Sequence, residues 1–88
     1  MIGLFSDCEE VPDLQKNLGK RIRELRLKKG FSQESFADHC GLHRTYMGGI
    51  ERGERNLTIQ TALTVARGLG ISMSDLFTDI EKLLPKTR

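Results

Sequence analysis

The sequence has little of what would make it a secreted, disulfide-bonded or membrane-inserted protein. It contains two cysteines, Cys8 and Cys40, among 88 residues, so at most one disulfide could form and reduced thiols are expected. No apolar run exceeds five residues, whereas a membrane-spanning helix needs about 20. The acidic-flanked N-terminal MIGLF is too short for a signal peptide. These absences predict a soluble, cytoplasmic protein with no membrane partner.

The length and composition are those of one small globular unit. Eighty-eight residues are too few for two independent cores. A hydrophobic fraction of 38% with 30% charged residues excludes disorder and collagen. We therefore expect a single compact domain.

The charge of the chain is unevenly distributed. The net charge is only +2, but residues 1–12 contain three acidic residues and no basic one, whereas residues 13–29 contain seven basic and two acidic residues. A basic helix can face a polyanion, although a solvated face balanced by the acidic N-terminal segment explains the same charges equally well. Charge alone leaves the partner open.

Apolar spacing and capping residues predict five helices and no strand. Residues 1–12 lack a sustained period and are expected to form a flexible arm, with the domain over 13–84 and a tail at 85–88. Helices are expected to begin or end at Asp13, Gly30, Ser32, Gly41, His43, Gly53, Thr58, Gly70, Ser72 and Pro85. The apolar positions at helical spacing are Leu14, Leu18, Ile22 and Leu25, then Phe36, Ala37 and Cys40, then Met47 and Ile50, then Ile59, Leu63, Ala66 and Leu69.

Two short helices joined by a glycine-containing turn are the signature of a helix-turn-helix, although many small bundles contain such a corner. A resemblance to the Cro/C1-type (Xre) family of helix-turn-helix proteins is carried by residues 18–77, LGKRIRELRLKKGFSQESFADHCGLHRTYMGGIERGERNLTIQTALTVARGLGISMSDLF. Within that family, RTYMGGIERGERNLT resembles the restriction–modification controller proteins. The matching features are Arg26, Ser32-Gln33-Glu34, Gly41, Ile50-Glu51-Arg52-Gly53 and Leu69-Gly70-Ile71.

The resemblance implies an all-α, five-helix fold like that of the lambda repressor DNA-binding domain. It also implies a small dimeric transcription regulator with no cofactor, no small-molecule ligand and no separate sensor domain. Such a protein would be regulated by its own concentration, through dimer formation.

The resemblance places Arg44 and Thr45 in the first turn of the recognition helix, the turn that reaches base edges in the major groove. Arginine can pair bidentately with O6 and N7 of guanine, and threonine suits a thymine methyl group or a polar edge. We expect both residues to contact bases. A phosphate contact or a solvated charge is the alternative role for Arg44.

Phosphate contacts are expected around the same helix. The N-terminus of the second helix and the amide of Gln33 can both donate to a phosphate oxygen, with simple capping as the alternative. Tyr46 can pack its ring and donate its hydroxyl. The expected phosphate contacts are Ser32, Gln33, Tyr46, Arg52, Arg55 and Asn56, of which the last three would also suit a solvated loop.

Gly48 and Gly49 lie in the recognition helix, and the first of them departs from typical members of the family. Family analogy places further base contacts at these two positions, but glycine has no side chain, and each glycine costs a helix interior about 1 kcal/mol relative to alanine. We expect few direct base contacts and a contribution from DNA shape. Close approach of another group to the backbone is the other use of such glycines.

The carboxylate of Glu51 is expected to have a structural role rather than a catalytic one. In the family, the residue that matches Glu51 is buried against an arginine of the first helix, here Arg26. A buried ion pair between the first and third helices would orient the recognition helix. We therefore expect Arg26 and Glu51 to form a structural ion pair.

The fifth helix, expected over about 72–84, carries more apolar surface than its position requires. Leu76 and Phe77 can cap the core, whereas Ile80, Leu83 and Leu84 continue the apolar stripe past it. An uncovered stripe of this kind predicts a homodimer interface. A stripe folded wholly onto its own chain is the alternative.

Other signals for chemistry are weak. His39, Cys40 and His43 lack a fourth ligand of suitable spacing, so no metal is expected, and Cys40 is better explained as a core residue and His43 as a helix cap. The glycines at 48 and 53 are not followed by the Lys and Ser or Thr of a phosphate-binding loop. No pair of carboxylates suits acid–base catalysis, so no enzyme is expected.

The sequence therefore predicts a transcription regulator that binds double-stranded DNA sequence-specifically, as a homodimer on a pseudo-palindromic operator. Two alternatives remain. The chain could be a protein-interaction module, or an antitoxin-like regulator, that binds a partner through its apolar fifth helix. It could also bind nucleic acid without sequence preference through its basic first helix.

Overall fold

The computed structural model describes residues 12–78 and 80. Its elements are α1 (Pro12–Lys28), α2 (Gln33–Cys40), α3 (Arg44–Glu51), α4 (Ile59–Leu69) and α5 (Met73–Leu76). The predicted all-α fold with five helices is confirmed. The first helix begins one residue earlier than expected, at Pro12, because the fixed φ of proline suits the first turn of a helix. The rest of the predicted arm, the predicted tail, Leu83 and Leu84 lie outside the described residues.

The ends of the helices are set by local hydrogen bonds. Ser32, Thr58 and Ser72 each accept a hydrogen bond, 3.0 Å long, from the backbone N–H three residues later, as N-cap residues do. Gly41 and Gly70 end α2 and α4 with φ values of 73° and 76°, a left-handed conformation that other residues adopt at a cost. The predicted caps are therefore confirmed at both ends of α2 and α4.

One apolar core lies between the helices. Its largest fully buried side chains are Ile22, Phe36, Met47, Ile50, Val65, Leu69 and Leu76. Leu18 and Ile22 of α1 and Ala66 and Leu69 of α4 are buried as predicted, but the N-terminal residues of both predicted stripes are not. Leu14 of α1 is 40% exposed, and Ile59 and Leu63 of α4 are 79% and 38% exposed.

The buried face of α4 consists of Ala62, Val65, Ala66 and Leu69. Ala66 and Leu69 belong to the predicted stripe, whereas Ala62 and Val65 are buried in place of Ile59 and Leu63, a choice that periodicity alone does not decide. Small side chains let α4 lie close to α2, where a Cβ added to Gly68 would be 2.7 Å from Cys40 Sγ. The exposure of Ile59 and Leu63 follows from this choice of face.

The segment after α4 turns back onto α1. Ile80 is 5% exposed and belongs to the core, whereas Phe77 is 42% exposed. The prediction that Phe77 caps the core while Ile80 is left for a partner is therefore wrong for these two residues. A turn at Phe77 and Thr78 follows α5, and polar groups of α1 hold the neighbouring backbone. Arg21 Nε donates to the carbonyl of Leu76 at 2.9 Å, and Asn17 Nδ2 donates to the carbonyl of Ile80 at 3.3 Å.

None of the helices in the described part of the chain is long and apolar enough to cross a membrane.

Candidate nucleic-acid interface

Helices α2 and α3 are joined by a tight turn over Gly41, Leu42 and His43. The left-handed backbone of Gly41 lets the N–H of Leu42 donate to the carbonyl of Ala37 at 2.8 Å. Leu42 is half-buried and packs against the core. This hydrogen bond and this apolar contact fix the direction of α3 relative to α2, as in a helix-turn-helix.

His43 is the N-cap of α3. Its Nδ1 accepts a hydrogen bond from the N–H of Thr45 at 3.1 Å. The imidazole is thus used to begin the helix, and in residues 12–78 and 80 no group of three or more potential ligands is gathered around a metal position.

Cys40 lies on the partly buried side of α2. Burial raises the pKa of its thiol. A thiol held protonated is a poor nucleophile, which fits the expected role of Cys40 as a core residue.

The first turn of α3 is directed into solvent. Arg44 and Thr45 are exposed, whereas Met47 and Ile50 are fully buried. Arg44 Nη1 lies 3.6 Å from Glu34 Oε1, and both side chains are about two-thirds exposed, at 64% and 68%. A surface pair of this kind is weak, so the guanidinium of Arg44 is available to another partner.

A buried ion pair connects α1 to the end of α3. Arg26 Nε and Nη2 donate to the two carboxylate oxygens of Glu51 at 2.7 and 2.9 Å, and the side chains are only 6% and 3% exposed. Arg26 Nη1 also donates to the carbonyl of Phe31 at 2.9 Å. The structure thus brings together the two residues expected to form a structural ion pair, and their bidentate geometry fixes the orientation of α3.

Gln33 takes part in the same network. Its Nε2 donates to Glu51 Oε1 at 3.1 Å, and the side chain is half-buried. Sequence reasoning missed this contact, because the two residues are separated by 18 positions and no local pattern connects them. The amide is therefore held in place beside the first turn of α2, whose free backbone N–H groups remain able to attract an anion.

The other residues expected at phosphates lie around these two helices. Ser32 is exposed, and its hydroxyl caps α2 through Ser35. Asn56 is exposed in the loop after α3. Arg52 is also exposed, and its Nε lies 3.2 Å from Glu54 Oε1 in a surface ion pair.

The two glycines of α3 are covered by arginine side chains. A Cβ added to Gly48 would lie 3.0 Å from Arg52 Nη1, and one added to Gly49 would lie 2.8 Å from Arg55 Cγ. The guanidinium carbon of Arg55 is also 5.9 Å from the ring centroid of Tyr46. The recognition-helix surface at positions 48 and 49 is therefore occupied by side chains from the following loop.

Gly19 is a second position that sequence reasoning missed. A Cβ added there would lie 2.5 Å from the carbonyl oxygen of Glu51 and 2.6 Å from that of Ile50. Glycine thus allows α1 to touch the backbone at the end of α3. The available signal was an isolated glycine in the middle of a helical pattern, which often marks close packing.

Comparisons with known proteins agree with this geometry. The helix-turn-helix family HTH_3 matches residues 22–76. Control protein C.MunI from Mycoplasma sp is 44% identical over 71 residues, which are 80% of this chain and 96% of that protein. The restriction–modification controller protein C.AhdI from Aeromonas hydrophila is 46% identical in its crystal structure, which aligns with a TM-score of 0.71 over 76% of this chain and 100% of that chain.

A third relative was crystallised with DNA. The controller protein C.Esp1396I, as a tetramer in complex with its natural 35 base-pair operator, is 39% identical and aligns with a TM-score of 0.70 over 78% of this chain and 91% of that chain. The family match covers more than half of the chain, and the relatives are matched over most of their length. The chain therefore belongs to the Cro/C1-type helix-turn-helix family of DNA-binding transcription regulators, within the group of restriction–modification control proteins.

Proposed function

We propose that this protein binds a pseudo-palindromic operator as a homodimer and regulates transcription there, without enzymatic activity, cofactor or small-molecule ligand. The observation that carries the proposal is the first turn of α3, where Arg44 and Thr45 are exposed on a helix anchored by the buried Arg26–Glu51 pair. The operator complex of the C.Esp1396I tetramer supports it. A protein that acts on an operator works where the chromosome is, so we place it in the cytoplasm.

The two exposed residues would read bases in the major groove. Arg44 presents a fork of donors that suits O6 and N7 of a guanine, and Thr45 presents a methyl and a hydroxyl group to the neighbouring base. The surrounding residues would fix the register of the protein on the backbone. Those proposed phosphate contacts are Ser32, Gln33, Tyr46, Arg52, Arg55 and Asn56.

Selection of bound duplexes from a random pool tests the proposal. We expect one enriched motif, repeated with two-fold symmetry, with half-site centres about 34 Å apart or a multiple of that spacing. The selected operator should be bound about 10³-fold or more tightly than a scrambled duplex. Enrichment of no motif, with binding that depends only on salt, would show a nonspecific nucleic-acid binder.

Replacing Arg44 by alanine is expected to cost about 1–3 kcal/mol of operator binding and to relax the preference at a single base pair. The reason is the loss of a bidentate contact to one base. Binding should be measured on the selected operator and on variants of each position. Arg23→Ala removes the same charge from an exposed position of α1 and serves as the control, with preference retained at every base. An equal loss for Arg44→Ala on all duplexes would make Arg44 a phosphate contact.

The burial of Ile80 leads us to propose a dimer interface that differs from the expected one. Ile80 is used by the core, whereas Ile59 and Leu63 lie one helical turn apart on the outer face of α4 and Phe77 is 42% exposed after α5. An exposed apolar surface of this kind usually marks an interface. We propose that a second copy of the chain covers it, together with Leu83 and Leu84. The tetramer formed by C.Esp1396I on its operator supports this choice of partner.

Ile59→Asp is expected to raise the dimer dissociation constant by at least about tenfold, since it places a charge in an apolar interface. Sedimentation velocity over a range of concentrations measures this change. The variant should stay folded, because Ile59 is 79% exposed in the monomer. Leu27→Asp is the matched control, on a leucine of α1 that is 51% exposed. A dimer that persists in Ile59→Asp would place the interface elsewhere.

A further inference from the structure

The outward face of α3 has a gap at residue 49. Thr45 and Gly49 are four residues apart and so lie on the same side of the helix, opposite the buried Met47 and Ile50. In a helix that lies in the major groove, this side faces the bases. On this side, the first turn of α3 presents the side chain of Thr45, and the next turn presents only the backbone of Gly49.

The side chain of Arg55 occupies this gap. Relative to a Cβ added at Gly49, Arg55 Cγ would lie 2.8 Å away, Nε 3.3 Å and Cδ 3.6 Å. Three consecutive atoms of one side chain thus follow the surface of the helix. Any other residue at position 49 would overlap the stem of Arg55 rather than its mobile end, so the arginine could no longer lie where it does.

The ring of Tyr46 borders the same space. The guanidinium carbon of Arg55 is 5.9 Å from the centroid of that ring, within the range of a cation–π contact. Tyr46 is half-buried and packs against the core, which restricts the movement of its ring. Arg52, by comparison, is paired with Glu54 at 3.2 Å, and among the described residues no carboxylate forms an ion pair with Arg55.

We propose that Gly49 is a positioning residue for DNA recognition, because its missing side chain, together with the Tyr46 ring, holds Arg55 along the groove-facing side of α3. The ligand is the DNA duplex. The guanidinium held in this position would donate hydrogen bonds to acceptor atoms of the DNA, either on phosphates or on the edge of a guanine. The inference rests on the proposed function. In it, Gly49 affects DNA binding only through the position of the Arg55 side chain.

A double-mutant cycle between Gly49→Ala and Arg55→Ala tests the coupling. We expect Gly49→Ala to weaken operator binding on the order of tenfold in the wild-type background, which is the loss of one charge-assisted contact. In the Arg55→Ala background, the same substitution should change affinity less than twofold. Equal losses in both backgrounds would mean that the added methyl group clashes with DNA directly, and would overturn the proposal.

Gly48→Ala is the matched control. It adds the same methyl group to the same helix, but its nearest neighbour is the mobile end of Arg52, at 3.0 Å. Its effect should therefore be the same with and without Arg55. Base variants of the operator then separate the two kinds of acceptor, since a loss confined to one base pair indicates a guanine edge and a uniform loss indicates a phosphate.

A readout without DNA separates this inference from the proposed function. Protons of the Arg55 side chain above the Tyr46 ring should be shifted upfield in the NMR spectrum of the free wild-type protein, and Gly49→Ala should move them towards the positions of an exposed arginine. Unchanged Arg55 signals in Gly49→Ala would overturn the positioning role. Wild-type protein that binds operator and scrambled duplexes equally would instead overturn the proposed function.

Discussion

Glu51→Ala is expected to lower the free energy of unfolding by about 3–5 kcal/mol, the cost of leaving one member of a buried ion pair without its partner. The guanidinium of Arg26 would lose two hydrogen bonds while remaining 6% exposed. Gln33 would lose its acceptor as well. Denaturation by urea, monitored by circular dichroism, measures the change.

The surface pair of Arg52 and Glu54 provides the control. Its side chains are 59% and 60% exposed, so Glu54→Ala should change stability by less than about 1 kcal/mol. A similarly small effect of Glu51→Ala would contradict a structural role for the buried pair.

A double variant, Arg26→Met with Glu51→Leu, separates the pairing from the space that the pair fills. Replacing both charges by apolar groups of similar volume is often neutral or stabilising. We expect the double variant to be more stable than Glu51→Ala. Its operator affinity would then report how far the bidentate geometry, rather than mere packing, orients the recognition helix.

Gly19→Ala is expected to destabilise the domain by about 2 kcal/mol, although alanine is the better helix former. The gain in helix propensity is about 1 kcal/mol, whereas overpacking costs about 1–3 kcal/mol and occasionally more. Here the added methyl group would meet backbone carbonyl oxygens at 2.5 and 2.6 Å, which cannot rotate away. The overpacking cost therefore exceeds the gain.

Thermal unfolding measures this effect, with an expected fall in Tm of about 10 °C for a domain of this size. Gly48→Ala gives the same gain in helix propensity and meets only side-chain ends, Arg52 Nη1 at 3.0 Å and Gln33 Oε1 at 3.3 Å, so its Tm should not fall. A Tm for Gly19→Ala equal to or above that of the wild type would show that α1 can move away from α3 at little cost.

The parts of the fold that sequence reasoning predicted are those with local causes. Ser32, Thr58 and Ser72 accept hydrogen bonds from N–H groups three residues later, and Gly41 adopts positive φ where α2 ends. These contacts involve neighbouring residues, so residue type and spacing are sufficient to predict them. The pairing of Arg26 with Glu51 came from the family resemblance, since 25 residues separate the two.

The parts that could not be predicted depend on packing between distant segments. In α4, Ala62 and Val65 are buried where periodicity equally allowed Ile59 and Leu63, because α2 packs closely against the side of α4 with the smaller residues. Burial of Ile80 instead of Phe77 depends on a turn after α5 and on polar groups of α1. The contact of Arg55 with Gly49 crosses from a loop to a helix, and no periodicity describes it.

Helix α1 connects the two proposed surfaces of the molecule. Through Arg26 it fixes α3, and through Arg21 and Asn17 it holds the backbone that follows α4. Within one copy, the reading helix and the proposed contact with a second copy therefore belong to a single rigid frame rather than to two parts joined by a hinge. In a dimer built on that contact, the distance between the two reading helices would be set by how α1 packs against α3 and against the backbone after α4. The half-sites of an operator would then have to match that distance.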